Sequence, residues 1–300
     1  PPLEFSAPPW PAALSPIADL AARHAPASAS ATAVALAVGR VAAPGHPDFS
    51  LDANQQAWFD QLRRQAQDGG TARLMLLAMV IDRHASPTPP QLERVTQALG
   101  APAAAQLQAL HAAIAQLPPG TRLPLADLAM PAVLGWPPVE RERILQLAHE
   151  LIAADGQVTL PEFLLYTVLQ RRLGAKASRA VPARFNSAAE LPAQASLVLS
   201  LIAALRRPDD AQRAFAAGRA WLGESATLTP AAAIRLDALS TALDQLNQLA
   251  PLAKPALIKA ATEVAFVDGQ THWRAASALR TLAIALDAPL PPRLTALDPA

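Results

Sequence analysis

The sequence predicts an all-α protein, and three observations support this fold class. Apolar residues make up 52% of the 300 residues while aromatic residues make up only 4%, so the core must consist of Ala, Leu, Val and Ile. Ala and Leu favour helices, and the small side chain of Ala allows helices to pack at short interaxial distances. No segment alternates convincingly as a strand would, and the prolines fall mostly at predicted helix starts, in turns or near the termini.

The spacing of apolar residues and the turn signals predict the helices in order. After the Pro-rich residues 1–16, helices are predicted at 17–24, 31–38, 54–67, 71–84, 91–100, 103–117, 123–134, 139–154 and 161–173. The non-periodic segment 175–192 separates these from helices at 193–206, 209–221, 230–250, 255–267 and 273–286. We therefore expect a Pro-rich segment (1–30), a helical subdomain (31–174), a linker (175–192), a second helical subdomain (193–288) and a tail (289–300).

Capping signals fix several of these boundaries. Thr88 precedes Pro89, which predicts an N-cap with proline at the first helical position. Thr159 and Glu162 have the spacing of a capping box, in which each side chain accepts a hydrogen bond from the backbone of the other residue. The sequence Asp68-Gly69-Gly70 is expected to end the helix at 54–67.

Two Asp-Gly turns are the most informative local feature. Asp155-Gly156 follows an amphipathic helix, and a similar phrase returns at Asp268-Gly269. The helices flanking both turns match in position, with Glu150 equivalent to Glu263, whereas Ala275 replaces Glu162 in the second copy. Glycine suits the left-handed residue that ends a helix. The pattern predicts two duplicated helix–turn–helix units.

The acidic residues of these turns are the candidate metal ligands. An EF-hand is excluded, because Leu151 and Ala153 stand where a calcium loop would need oxygen ligands. One hypothesis is that Glu150, Asp155 and Glu162 converge on a cation beside the first turn. Glu263 and Asp268 are the equivalent candidates at the second turn, where Ala275 replaces Glu162. The alternative is that Asp155 satisfies turn amides, Glu162 closes the capping box and Glu150 is solvated.

The sequence lacks the residues that several classes of functional site require. His149-Glu150 begins like the zinc-protease motif, but Ala153 occupies the position of the second His, so we place His149 on the polar face of its helix. There is no cysteine, no nucleophile elbow and no phosphate-binding loop. The formal net charge of +1 gives no general attraction for nucleic acid. The longest apolar runs, 74–81 and 197–205, are too short to span a bilayer, and no signal peptide precedes them.

The sequence resembles two helical families. Ala154-Asp155-Gly156-Gln157-Val158, followed by Glu162, resembles the repeat of tellurite-resistance-B (TerB-like) proteins. From residue 31 to residue 294 the chain also resembles the C-terminal region of bacterial membrane-bound M48 (Ste24-like) zinc metalloproteases. That resemblance is carried by the phrases at 71–83, 122–131, 151–156, 214–219, 249–254 and 288–292.

The resemblance implies a fragment of a longer protein, as does the start at Pro1 without an initiator Met. The family's His-Glu-x-x-His and membrane helices are absent here, so catalytic zinc is expected only in the parent's protease domain, and no catalytic residue or cofactor is assigned to this chain. Its partner would be another protein or that protease domain. We expect a soluble domain attached to the bacterial inner membrane, on the cytoplasmic side.

Three functional hypotheses follow. The first is a non-catalytic accessory domain that binds proteins through grooves between helices, most favourably in the unit at 139–173. The second is a TerB-like metal-binding or stress-response domain that uses the acidic turns. The third is an independent helical enzyme, for which the sequence offers no paired acid and base residues.

Overall fold

The computed structural model describes residues 49–299 except 155, 157, 175, 176, 178–180, 207–209, 223, 224, 270 and 271. These described residues form 13 α-helices and no sheet; Phe185 and Leu249 make an isolated parallel bridge. The all-α prediction is confirmed. The predicted segment 1–30 and the helices at 17–24 and 31–38 lie outside the described residues.

Most of the helices follow one another with short connections, the longer ones being 174–191 and 220–235. Three connections contain a turn of 3₁₀-helix within the described residues. The α-helices are α1 (Ala53–Gln65), α2 (Gly69–Met79), α3 (Pro89–Leu99), α4 (Ala101–Ala115), α5 (Arg122–Leu134), α6 (Pro138–Ala153), α7 (Leu160–Leu173), α8 (Pro192–Ala204), α9 (Ala211–Arg219), α10 (Leu236–Leu246), α11 (Lys254–Ala265), α12 (Trp273–Ala285) and α13 (Pro292–Thr295). The 3₁₀ turns are Pro119–Thr121, Ala188–Glu190 and Ala231–Ala233.

The helix predicted at 71–84 ends at Met79. Two further boundaries that differ from the sequence prediction have a local cause. Gly69 and Gly70 do not merely end the preceding helix; they open α2, because the Asp68 carboxylate caps it by accepting the Thr71 N–H at 2.8 Å. The predicted helix at 230–250 is interrupted after the 3₁₀ turn, since the backbone at Ile234 is extended. Ile234 is buried, so this break places an apolar side chain in the core that a continuous helix would direct elsewhere.

The most apolar helices are core helices. α2 and α8 are 11 and 13 residues long, and both are largely buried. α2 packs against α4 and α5, whereas α8 packs against α9, α10 and α11. Among the described helices, none combines the length and the hydropathy needed to cross a bilayer.

A close helix contact fixes α9 against α11. Gly218 lies on α9, and a Cβ atom there would come within 2.9 Å of the carbonyl oxygen of Ala260 on α11. Because real side chains do not approach a backbone oxygen so closely, only glycine fits this crossing.

Helices of the two predicted subdomains pack against each other. α7 packs against α12, and the 3₁₀ turn Pro119–Thr121 also contacts α12. Buried apolar residues from Phe49 to Leu294 form one continuous cluster. A backbone hydrogen bond attaches part of the predicted linker to the segment after α10: the Ala250 N–H donates to the carbonyl oxygen of Phe185 at 2.7 Å. The division into independent subdomains stays a prediction.

A buried arginine joins the two sequence halves. The Arg280 side chain on α12 is 5% exposed, and its Nη1 lies 2.7 Å from Asp127 on α5. Its Nη2 forms a second ion pair with Asp298, in the segment predicted as a tail. One guanidinium therefore holds α5, α12 and the C-terminal residues together.

A second ion pair lies at the C-terminal ends of α7 and α12. Asp287 follows α12 with a φ of 51°, the left-handed conformation that usually selects glycine. The Ala288 N–H donates to the Ala283 carbonyl at 2.9 Å and closes the helix end. Arg171 on α7 donates from Nε to the Asp287 carboxylate at 3.1 Å, which ties this unusual conformation to the neighbouring helix.

We predict that Arg280→Ala lowers the free energy of unfolding by about 3 kcal/mol, because removing a buried charge leaves two carboxylates without their partner. The partial exposure of Asp127 and Asp298 places the effect at the lower end of the range for buried pairs. Urea denaturation measures the change. Arg143→Ala, which removes an exposed pair with Glu140, is the control and should change stability by less than about 0.5 kcal/mol. Equal effects of the two substitutions would contradict the role given to Arg280.

Candidate functional site

The two Asp-Gly turns share their local geometry. The Gly156 N–H donates to the Ala153 carbonyl at 3.1 Å, and the Gly269 N–H donates to the Phe266 carbonyl at 3.0 Å. The φ angles of the glycines are +72° and +73°, so both occupy the left-handed region. Asp155 itself lies outside the described residues. The common geometry agrees with the sequence match, while a duplicated TerB-like unit stays a prediction.

Glu162 closes the predicted capping box. Its Oε2 accepts the Thr159 N–H at 2.7 Å, and the Glu162 N–H lies 3.5 Å from Thr159 Oγ1. The residue is 1% exposed. The carboxylate therefore accepts a backbone hydrogen bond at the start of α7, in line with the interpretation of Glu162 as a capping residue.

The other acidic candidates contact basic or polar side chains. Glu150 lies 3.5 Å from Arg94 and accepts from Gln146 Nε2 at 3.1 Å, so it is more constrained than a solvated residue. Asp268 lies 2.5 Å from the buried Arg206, which also donates to the carbonyl oxygen of Ala265 at the end of α11.

These contacts bear on the metal hypothesis. Glu263 is half-buried on α11. Within the described part of the chain, no three His, Cys, Asp or Glu side chains are grouped so that they could hold a metal ion. Since Asp155 is not described, a site formed by Glu150, Asp155 and Glu162 stays a prediction.

His149 is not on the polar face of its helix, as the sequence analysis expected. The residue is 7% exposed and makes an edge-to-face contact with Tyr166, with ring centroids 5.8 Å apart. α6 packs against α3 as well as α7, so more of its circumference is covered than its charge pattern indicated. His149 is a packing residue between α6 and α7.

A cleft lies where five segments meet. Its walls are the loop after α2, the start of α5, the start of α7, the end of α8 and the first turns of α12. The apolar lining comes from both sequence halves and comprises Pro119, Leu123, Leu160, Pro161, Leu164, Leu205 and Trp273. The polar lining comprises Asp82, Arg83, His84, Arg122, Thr159, Arg274 and Ser277. The cleft therefore depends on the contact between α7 and α12.

Two of its arginines are held by backbone carbonyl groups. Arg83 Nη2 donates to Ala115 and Leu117 at 3.1 and 2.9 Å, and Arg122 Nη2 donates to Ile81 at 2.9 Å. Burial lowers the pKa of Arg122 to about 10, although the Glu162 carboxylate opposes the shift. Burial also lowers the pKa of Arg83, against the effect of Asp82. Arg122 stays protonated at neutral pH, so its positive charge is fixed in place.

The enclosed part of the cleft is small, about 60 Å³. Sites for whole small molecules or cofactors usually measure about 300–1,000 Å³. The cleft has room for single side chains of a larger molecule that lies across its mouth. Its geometry therefore favours a protein segment as the ligand.

The cleft only partly matches the groove predicted at 139–173. α7 is enclosed by α5, α6, α10 and α12, so most of this helix is scaffold. Its first residues, Thr159 to Leu164, do line the cleft. Val139, at the start of α6, is 63% exposed but is not part of the cleft lining. Four residues of the cleft lining were not singled out from the sequence as site residues, because they are far apart along the chain and match no motif. They are Arg83, Arg122, Arg274 and Ser277.

Comparison with known proteins gives no assignment. No protein-family model matches the chain, no curated protein matches it, and no solved structure matches its fold.

We predict that Glu162→Ala lowers the free energy of unfolding by about 1–2 kcal/mol, because the Thr159 N–H loses its acceptor. Glu162→Gln keeps a carbonyl acceptor and should cost less. Denaturant melts with and without divalent cations measure both variants. If the loss of stability appears only when a divalent cation is present, Glu162 does not act as a cap, and the result supports the metal hypothesis.

We predict an acid-side loss of stability that depends on His111. Burial lowers the pKa of this imidazole, and the charge of Arg122 lowers it further, against the hydrogen bond at 3.0 Å to the Asp82 carbonyl. Below about pH 6.5 the unfolded chain binds a proton that folded His111 resists, so stability falls as pH decreases from that value to the folded pKa. Stability curves of His111→Gln should be flatter by up to about 1.4 kcal/mol per pH unit in this window. Parallel curves for the two proteins would exclude His111 as the cause.

Proposed function

We propose that this chain is a non-catalytic helical domain that binds a segment of another protein, or of its own parent protein, in the cleft between α7 and α12. The observation that carries the proposal is the shape of the cleft, which combines an apolar lining, a few fixed polar groups and an enclosed volume suited to single side chains.

The resemblance to the C-terminal region of membrane M48 metalloproteases supports this function. An accessory region of such an enzyme would hold a substrate or partner near a protease domain without taking part in the cleavage. In this proposal the domain is attached to the bacterial inner membrane through its parent, on the cytoplasmic side. Zinc and peptidase activity would belong to the parent's protease domain.

The architecture is suited to holding a ligand. α7 and α12 are joined near one end by Arg171 and Asp287, and Arg280 joins α12 to α5. The lining side chains Leu123, Leu160 and Leu164 belong to the continuous core, so the cleft is part of the packed structure. A preformed site loses little conformational entropy when a segment binds.

Binding of defined peptides tests the proposal. The intact chain is used to select binders from a phage-displayed library of random dodecapeptides, and selected peptides are synthesised. Ser277→Trp fills the cleft from α12, so we expect it to weaken their binding at least about tenfold, as blocking a central pocket does.

Gln170→Trp is the matched control, since Gln170 is exposed on α7 and outside the cleft lining. It should leave peptide affinity unchanged. Circular dichroism and thermal melts must show that both variants fold. If selected peptides bind Ser277→Trp as tightly as they bind the original chain, the cleft is not the binding site.

A further inference from the structure

The residues before α1 join the described structure beside the cleft. Gln55 Nε2, in the first turn of α1, donates to the carbonyl oxygen of Gln116 at the end of α4, at 3.2 Å. The next carbonyl oxygen along the chain, that of Leu117, accepts from Arg83 at 2.9 Å, and Arg83 lines the cleft. Two hydrogen bonds and one peptide unit therefore separate the Gln55 amide from the Arg83 guanidinium, a distance of roughly 10 Å.

A short connection links this point to an apolar segment of the chain, residues 31–43, which lies outside the described residues. Phe49, shortly before α1, is 9% exposed and belongs to the core. From Phe49 back to residue 43 an extended chain spans up to about 20 Å. The connection is therefore long enough for the segment 31–43 to reach the cleft.

The composition of residues 31–43 matches the cleft lining. All but three of them are Ala, Val or Leu, and none is acidic or aromatic. In the helix predicted from the sequence, Val34 and Val38 lie one turn apart on the same face. The cleft offers aliphatic side chains of its own, and its enclosed part of about 60 Å³ suits a valine side chain better than the larger rings of Phe5 or Trp10.

We propose that residues 31–43 bind in the cleft of their own chain and cover it until a partner segment displaces them. Val34 and Val38 would pack on Leu164 and Leu205 of the lining. A short tether gives the segment a local concentration on the order of 1 mM, so even a weak contact covers the cleft most of the time. This regulation rests on the proposed function, because it makes the segment a competitor of the protein segment that the cleft binds.

The affinity of the selected peptides measures this competition in the intact chain. Val38→Asp places a charge in the apolar segment, so we expect it to uncover the cleft and to tighten peptide binding about tenfold. Ile17→Asp is the matched control, since it replaces another β-branched residue by Asp outside 31–43 and should leave the affinity unchanged. Fluorescence polarisation measures the binding, and thermal melts show that each variant folds.

A synthetic peptide of residues 31–43 gives a second comparison. It should bind the Val38→Asp chain more tightly than the intact chain, in which the same segment already covers the cleft. Adding Ser277→Trp to the Val38→Asp chain should weaken this binding, because the Trp side chain fills the cleft.

Disulfide trapping locates the segment without any added peptide. The sequence contains no cysteine, so Val38→Cys combined with Ser277→Cys creates a single possible pair. A disulfide forms only where the two Cα atoms come within about 7 Å of each other. Under mild oxidation this pair should form an intramolecular disulfide faster than Val38→Cys combined with Gln170→Cys, because Gln170 is exposed on α7 and outside the cleft lining. Val34→Cys covers the neighbouring helical turn, and mass spectrometry of the monomer detects the products.

Several results would overturn the covering of the cleft by residues 31–43 and leave the proposed function standing. One is a folded Val38→Asp chain with unchanged peptide affinity, and another is an equal gain of affinity from Ile17→Asp. A third is that neither cysteine of the segment reacts faster with Ser277→Cys than with Gln170→Cys. Disulfide-linked dimers in place of monomers would also overturn it, because the segment would then lie in a second copy. Peptides that bind Ser277→Trp undiminished would instead overturn the proposed function.

Discussion

The contact between α7 and α12 is the interaction on which the rest of the structure depends. Each helix belongs to one half of the sequence, and each is buried along most of its length. Apolar burial supplies the attraction between them, but it is non-directional. Arg171 at the end of α7 binds Asp287 beyond the end of α12, and Arg280 binds α12 to α5. Directional ion pairs thus position helices that apolar packing brings together.

The cleft is a by-product of this arrangement. The first turns of α7 and α12 line it together with Leu123 and Leu205 from neighbouring elements. The termini bring backbone polarity and arginine side chains to an otherwise apolar cavity. The cleft matches no single sequence motif, because its lining is divided among separate segments of the chain.

The sequence predicted features that depend on neighbours along the chain. The caps at Thr88 and Thr159 and the Asp-Gly turns follow from local spacing, and the structure contains them. It did not predict features set by distant packing. His149 has a polar neighbourhood in sequence but is buried and contacts Tyr166 of α7, and the Asp298 partner of Arg280 lies in a Pro-rich segment that carries no periodic signal. The cleft belongs to this second group, since its arginines come from three separate elements.

Gln91 caps one helix and also binds the end of another. Its Oε1 accepts the Thr88 N–H at 2.9 Å, and its Nε2 donates to the Leu151 carbonyl at 2.9 Å near the end of α6. Capping boxes in general accept either Gln or Glu at this position. Here a carboxylate could serve only the first bond and would place its charge against a carbonyl oxygen in a buried site. One amide group therefore links the beginning of α3 to the end of α6, and the pairing tolerates no change from Gln to Glu.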